Sequence, residues 1–531
     1  MSGTVLEVTR DILRAVGMTT IFGNPGSTEL PFLADFPADF RYVLALQESC
    51  AVAMADAYAQ FTGNAALVNL HSAGGVGHGL GNVVTAHRNH SPLVIVAGQQ
   101  VRSLLRGEPY LGAPDATSFP RPYVKWAAEP ALAADVPAAI ARAYLVATTA
   151  PYGPTFVSVP VDDWNATAAP ATARARIPAT APDPGTLNEL ADALHAAMSP
   201  AFVVGPAVDA SGAAGDVVTL AERTGAVVWA SPMSHRCSFP EGHSRFAGFL
   251  PPAREQLTAA LSRHDLVVVL GAPVFTYHVG TAQQGGSLPT LYVVNDDEQA
   301  LAWAENGTAI RADVRIAVRQ LLPLARSVDR PGPPPRTMPA APTATTPMSG
   351  AYVYSTVAQV LPADAVVVEE APSHRNDLHT YLPIARSGGF LTMATGVLGF
   401  GLPAAVGVAL AQPDRPVLAV LGDGSAMYGI QGLWTAVREN ARVTFVILDN
   451  GGYGALVALG RASGIEKFPG ADLGGIDFCA LARGMGCPAR LVESPADLTP
   501  ALHEALATDG PVLLHVVVDA DVAPLYDSTT P

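Results

Sequence analysis

Short runs of apolar, mostly branched residues alternate along the chain with longer stretches whose apolar positions recur at helical spacing. The runs are RYVLAL, AALVNL and PLVIVAG in the first third, and AFVVG, AVVWA, DLVVVLG and TLYVVN in the middle. AVVVEE, PVLAVLGDG, VTFVILDN and PVLLHVVV follow in the last third. Runs that are apolar throughout, not at every second position, are strands buried on both faces, and Gly, Pro or Asp ends them. Helices between successive strands make those strands parallel. The pattern predicts an α/β protein of three doubly wound parallel-sheet domains. Ligands of such sheets bind beyond the carboxyl ends of the strands, so chemistry is to be sought immediately after each run.

Two stretches break the alternation. Residues 165–185 (NATAAPATARARIPATAPDPG) and 327–349 (SVDRPGPPPRTMPAAPTATTPMS) are rich in Pro, Ala and Thr and poor in large apolar residues, as extended linkers are. They set off domains at 1–165, 186–326 and 350–531. At 531 residues, 49 % hydrophobic and 15 % charged, the chain is no disordered protein. A net charge of −15 excludes a general nucleic-acid binder, which needs a basic face. The four cysteines, Cys50, Cys237, Cys479 and Cys487, form no Cys-x-x-Cys pair, which argues against a thiolate zinc site. The start, MSGTVLEVTRDILRAVG, reads as an amphipathic helix without a secretory apolar core, and a cytoplasmic location is expected. Residues 387–413 carry no charge over a length that could span a bilayer. Their glycines and Pro403 point instead to a buried loop and helix, so no membrane association is expected.

The strongest chemical signal lies in the last domain. One strand ends in Gly422-Asp423-Gly424-Ser425, and the next in Asp449-Asn450-Gly451-Gly452-Tyr453-Gly454. Asp423 and Asn450 lie 27 positions apart, about one strand–helix–strand unit, so the two strand ends can be neighbours. Each motif alone is an ordinary turn. Together, a carboxylate and a carboxamide suit Mg²⁺, which prefers oxygen ligands and commonly shares them with a phosphate. The glycines let backbone N–H groups approach phosphate oxygens. In the first domain, RYVLAL leads into Gln47-Glu48-Ser49 at the start of a helix. An acid there is favoured by the helix dipole, whatever else it does.

Gly-Asp-Gly followed about 25 residues later by Asp449-Asn450 resembles the signature of the thiamine-diphosphate enzymes. The resemblance implies thiamine diphosphate with Mg²⁺, for which Ca²⁺ can substitute, held by Asp423, Asn450 and the backbone carbonyl of Gly452. Asp449 departs from the usual Asn. Glu48 falls on the activating glutamate, which hydrogen-bonds N1′ of the aminopyrimidine and so promotes loss of the thiazolium C2 proton. An apolar setting would keep its carboxyl protonated near neutrality. In Ala394-Thr395-Gly396-Val397-Leu398-Gly399, Leu398 would hold the cofactor folded and the Gly396 carbonyl would accept from its 4′-amino group. Asn24, Pro25, Ser373, Gly422, Gly424, Ser425, Tyr428, Tyr453 and Gly454 complete the implied cofactor contacts.

Within that family the chain most resembles the benzoylformate decarboxylases. Phe22-Gly23-Asn24-Pro25-Gly26-Ser27-Thr28-Glu29-Leu30-Pro31-Phe32-Leu33, Asn69-Leu70-His71-Ser72-Ala73 and Gly271-Ala272-Pro273-Val274-Phe275-Thr276-Tyr277-His278 carry the likeness. It implies three catalytic side chains besides Glu48. Ser27 would bind the substrate carboxylate, while His71 and His278 would move protons at the 2-oxo oxygen and at the reacting carbon. Imidazole suits both tasks because its pKa lies near working pH. Structural alternatives are a helix cap at Ser27, with Thr28 or Glu29 in the first turn, and satisfied core histidines.

The substrate side departs from that pattern. Val457-Ala458-Leu459 stands where an aromatic pair is usual, and Glu369-Glu370-Ala371-Pro372-Ser373-His374-Arg375 replaces a Ser/Thr-rich run. A wider or more polar pocket is expected, to which Leu104, Leu105 and Tyr110 could add. The expected activity is non-oxidative decarboxylation of an aromatic or bulky 2-oxo acid to an aldehyde and CO₂ by a homo-oligomer, a dimer of dimers. One rival is a carboligase resembling acetolactate synthase, although 190–325 lacks a convincing flavin motif. The other is a nucleotide-binding α/β protein, suggested by Gly77-His78-Gly79-Leu80-Gly81, which lacks the full Gly-x-Gly-x-x-Gly spacing.

Overall fold

The structure is a computed structural model describing residues 3–173, 179–278, 286–304, 306–336, 339–522 and 525. Three six-stranded sheets follow one another along the chain, and every pairing within them is parallel. The first holds β1 (Thr20–Asn24), β2 (Arg41–Leu44), β3 (Ala66–Leu70), β4 (Leu93–Gln99), β5 (Trp126–Ala128) and β6 (Thr155–Pro160), in the spatial order β2-β1-β3-β4-β6-β5. The second holds β7 (Pro200–Val204), β8 (Val227–Ala230), β9 (Phe246–Phe249), β10 (Leu266–Leu270), β11 (Thr290–Asn295) and β12 (Thr308–Arg311), ordered β9-β8-β7-β10-β11-β12. The third holds β13 (Val366–Glu370), β14 (Phe390–Leu391), β15 (Val417–Gly422), β16 (Val443–Asp449), β17 (Ala489–Val492) and β18 (Val512–Val517), ordered β14-β13-β15-β16-β18-β17.

The first and third sheets thus share one strand order, which no sequence repeat betrayed. In both, the order reverses between the first and third strands, and such a reversal opens a crevice at the strands' carboxyl ends. Asn24 and Leu70 end β1 and β3, while Glu370 and Gly422 end β13 and β15. Ser27, His71, Ser373 and Asp423 all follow these two switch points closely.

Helix α1 (Val5–Ala15) opens the chain with a capping box between Thr4 and Glu7, and its apolar face is buried. Helices α2 (Glu48–Thr62) and α3 (Ser72–Arg88) cover the first sheet, and α4 (Gly401–Ala411) the third. Helices α2 and α4 pack on each other so closely that a Cβ on Gly407 would lie 2.1 Å from the Met54 carbonyl oxygen. One hydrophobic core therefore runs from Phe22, Val68 and Ile95 through Met54 to Phe400, Val406 and Phe445. The uncharged 387–413 stretch is the expected buried loop and helix, with Gly401 to Ala409 all buried. Among the described residues no helix is long and apolar enough to cross a membrane. In the second linker Arg330 is buried and donates to the carbonyls of Leu194, His195, Ala197 and Thr224, which fastens that strap to the central sheet.

Candidate active site

At the carboxyl end of the first sheet, Asn24 pairs with Leu70, so the chain leaves two adjacent strands at Pro25 and His71. Ser27 begins the turn Ser27–Glu29 and is exposed, while Thr28 and Glu29 turn inward. His71 Nδ1 lies 2.8 Å from Glu29 Oε2 and 3.0 Å from Thr28 Oγ1. The wholly buried Glu29 also accepts from Gly26 N (2.8 Å), Gly98 N (2.9 Å) and Thr28 Oγ1 (2.7 Å). Donation from Nδ1 to this fixed carboxylate orients the ring and commits that nitrogen, leaving Nε2 to act as the acceptor. Two glycines make room: a Cβ on Gly26 would fall 2.3 Å from the His71 ring, and one on Gly98 2.1 Å from Glu29 Oε1. Ser72, next in the chain, has φ 51°, a left-handed conformation rare for a non-glycine residue, and its Oγ donates to the Leu111 carbonyl at 2.6 Å.

Glu48 is the first residue of α2, behind a cap in which Gln47 Oε1 accepts from Cys50 N. Its Oε2 lies 3.1 Å from Nδ1 of the exposed His78. His78 belongs to Gly77–Gly81, and that segment lies inside α3. A dinucleotide-binding loop is therefore excluded there.

At the carboxyl end of the third sheet, Asp423 begins α5 (Asp423–Gly429) directly after β15. Its Oδ1 accepts from Gly424 N at 2.7 Å, while its Oδ2 is buried without a hydrogen-bond partner among the described residues. Burial pushes the carboxyl up to about 6, and the neighbouring Asp449 adds to the rise. Asn450 follows β16 on the adjacent strand, with Gly452 N 3.4 Å from its Oδ1. Gly452 is pressed against the Ala471 carbonyl, 2.2 Å from where a Cβ would stand. A Cβ on Gly454, at the start of α6 (Gly454–Ala462), would lie 2.5 Å from Asn450 Nδ2 and 3.0 Å from Ser373 Oγ. Ser373 Oγ accepts from Ala455 N at 2.9 Å and ties β13 to α6. Tyr453 packs its ring over Gly424 and shares a hydrogen bond with Tyr428, while Ser425 is buried.

An orphaned carboxylate oxygen beside a carboxamide and a tight glycine turn fits a hard divalent cation, and the cation would offset the desolvation of Asp423. Asp449, unexplained by sequence, receives His515 Nε2 on Oδ2 at 2.7 Å and Gly451 N on Oδ1 at 3.0 Å. The hydrogen bond from His515 holds its carboxyl below the usual range. Asp449 therefore braces the turn that presents Asn450. His515 also lies with Asp477 and Cys479, all three offering ligand atoms within 4.8 Å of one another. Asp477 already caps α7 (Phe478–Gly484) through Ala480 N, and Arg483 stands beside Cys479, so a cation is opposed there.

The loop Ala394–Gly399 lies between the two sheets. Gly396 is exposed, and Leu398 is half-buried against the shared core. Glu370, fully buried at the end of β13, accepts from Gly399 N at 2.6 Å and from Gly401 N, and burial raises its carboxyl to about 8. His278 lies apart on the central domain, exposed, with its backbone N–H donating to the Pro252 carbonyl at 2.8 Å.

The expectation that His374 and Arg375 make the pocket more polar is corrected. His374 is buried against Gly350 with Nε2 unpartnered among the described residues, and burial lowers it to about 4. Arg375 is bound to the buried Glu369 at 2.7 Å and to Thr392 Oγ1 at 2.9 Å. Ala458 is buried and Leu459 half-buried on α6, whereas Leu104 and Tyr110 are exposed. Glu29, Thr28, Glu370 and Asp449 are the supporting residues that sequence reasoning missed as such. Glu29 had one signal, its place in the Gly26-Ser27-Thr28-Glu29 segment, but its link to Gly98 and His71 is visible only in three dimensions.

Three family models match the chain. They are those of the N-terminal TPP binding domain (residues 3–118), the central domain (187–321) and the C-terminal TPP binding domain (371–516) of thiamine pyrophosphate enzymes. Benzoylformate decarboxylase of Pseudomonas aeruginosa is 43 % identical, over 97 % of this chain and 98 % of that one. Among solved structures, the thiamine diphosphate-dependent 4-hydroxybenzoylformate decarboxylase of Rhodococcus jostii RHA1 superposes with a TM-score of 0.95. It is 42 % identical and is matched over 98 % of this chain and all of its own. Benzoylformate decarboxylase from Polynucleobacter necessarius has a TM-score of 0.95 at 37 % identity, over 98 % and 99 % of the two chains.

Proposed function

The chain belongs to the thiamine pyrophosphate enzyme family, and from that premise we propose that it catalyses non-oxidative decarboxylation of an aromatic or similarly bulky 2-oxo acid, giving an aldehyde and CO₂. The observation that carries this reading is the pair of switch-point sites. One presents Ser27 with the Glu29-braced His71, and the other presents the orphaned Asp423 oxygen beside Asn450, in a chain matched end to end by benzoylformate decarboxylases.

Thiamine diphosphate, when bound, supplies a nucleophilic carbon and an electron sink for the pair left by departing CO₂. Asp423, Asn450 and the Gly452 carbonyl would hold Mg²⁺ on its diphosphate, with Gly424, Ser425 and Gly454 close to the phosphates. Leu398 and Gly396 would place the aminopyrimidine. Glu48 would hydrogen-bond N1′ and so set the basicity of the opposite amino group. Ser27 binds the substrate carboxylate. His71, its Nδ1 committed to Glu29, delivers a proton from Nε2 to the 2-oxo oxygen, and His278 serves the later protonation. Ala458 and Leu459 leave room on the substrate side for a large ring.

Glu48 and Asp423 lie on different sheets, and the reading joins them between two copies, in a homodimer that pairs into a tetramer. The test is incubation of pure protein with a panel of 2-oxo acids, with and without thiamine diphosphate and Mg²⁺, following CO₂ and aldehyde. Cofactor-dependent aldehyde from aryl 2-oxo acids supports the proposal. Release of CO₂ with 2-hydroxy ketone in place of aldehyde would favour the carboligase.

A further inference from the structure

Helix α3 carries a polar stripe that the reading above does not use. Asn82, Thr85 and the C-terminal Asn89 recur at i, i+3 and i+7, which is one face of a helix. All three reach the loop Ala394–Gly399. Asn82 Nδ2 donates to the Gly399 carbonyl at 3.1 Å, Thr85 Oγ1 lies 3.0 Å from Thr395 Oγ1, and Asn89 Oδ1 accepts from Ala394 N at 2.9 Å. The same stripe grips α2. Asn82 Nδ2 also reaches the Ser49 carbonyl at 3.0 Å and Ser49 Oγ at 2.8 Å, and Asn89 Nδ2 donates to Asp56 Oδ2 at 2.9 Å.

Asn82 is fully buried, and its own carbonyl oxygen has no partner among the described residues. An unpaired buried oxygen is destabilising, so packing alone does not account for an amide at this position. What the amide adds is a donor group joining the residue after Glu48 to the residue after Leu398. We infer that Asn82 is a positioning residue that ties the activating Glu48 to the cofactor loop Ala394–Gly399 of the same chain, holding together the parts that one copy gives to two neighbouring sites, with Thr85 and Asn89 holding the loop side. The inference rests on the thiamine-diphosphate reading.

The test compares Asn82→Ala, the isosteric Asn82→Asp and Thr85→Val with the wild-type protein. Three measurements are made: amide hydrogen exchange of residues 394–401 in the cofactor-free chain, thiamine diphosphate affinity by fluorescence quenching, and C2–H exchange at saturating cofactor. Both Asn82 variants should lose protection at 394–401 and bind cofactor at least tenfold more weakly. They should also exchange C2–H at least tenfold more slowly, whereas Thr85→Val weakens binding but exchanges at the wild-type rate. Wild-type protection and exchange in Asn82→Asp would overturn the inference, as would exchange slowed equally in Thr85→Val. If Asn82→Ala fails to fold, Asn82→Asp decides by the same criteria. A wild-type protein that does not accelerate C2–H exchange, or a Glu48→Gln variant that exchanges at the wild-type rate, would instead overturn the underlying functional reading.

Discussion

Asp423 shows how one side chain can be read by its unmet needs. Its Oδ2 is buried with no hydrogen bond among the described residues, and burial raises its pKa to about 6. Asp423→Ala should therefore abolish Mg²⁺-dependent thiamine diphosphate binding while the fold persists, measured by titration with and without the metal. Glu48→Gln should leave that binding intact and slow C2–H exchange, read by NMR after acid quench. His374 gives a pH prediction. Folded, it titrates near 4 because burial opposes its charge, against about 6.5 when unfolded. Below about pH 6.5 the unfolded chain takes up a proton that the folded chain refuses, so stability is lost as pH falls toward 4. At pH 5 the loss is about 2 kcal/mol, at 1.36 kcal/mol per pH unit. His374→Leu should remove it, so that denaturation midpoints of variant and wild type draw apart in the variant's favour between pH 7 and pH 5.

At the scale of elements, the crossing of α2 and α4 joins the cores of the first and third sheets. Gly407 is needed there because the Met54 carbonyl occupies the space of a Cβ. Gly407→Ala should force the helices apart and cost about 1–3 kcal/mol, seen as a lower midpoint in urea with an unchanged slope. Gly26 plays the same part at the site. Gly26→Ala should fold but push the His71 ring off Glu29, reducing turnover far more than cofactor affinity. The strands, their parallel pairing, the buried 387–413 segment and the strand-end motifs were all legible in sequence, because continuous apolar runs and turn residues are local signals. His374 and Arg375 were misread as pocket residues because sequence proximity to Ser373 does not tell which way a side chain turns. Asp449 had no sequence explanation because its partner, His515, lies 66 residues further on.

At the scale of the whole molecule, two sheets of identical strand order each contribute a switch point, and Glu48 and Asp423 follow strands of different sheets. If active sites form between two copies, Glu48→Gln and Asp423→Ala chains, each inactive alone, should recover activity when mixed and allowed to exchange subunits. One of the two sites in a mixed dimer then receives intact Glu48 and intact Asp423. No recovery in dimers shown to have exchanged would mean that each chain builds its own site.

Sequence by itself determined the chemistry on offer and the strand ends that carry it. Backbone propensity, burial on both faces and turn chemistry act over a few residues and leave their mark in order along the chain. The tertiary structure alone decided which groups meet: His71 on Glu29, Asp449 on His515, Asn82 between Ser49 and Gly399. Those contacts join segments tens to hundreds of residues apart through side-chain directions fixed only when the sheets and helices have packed.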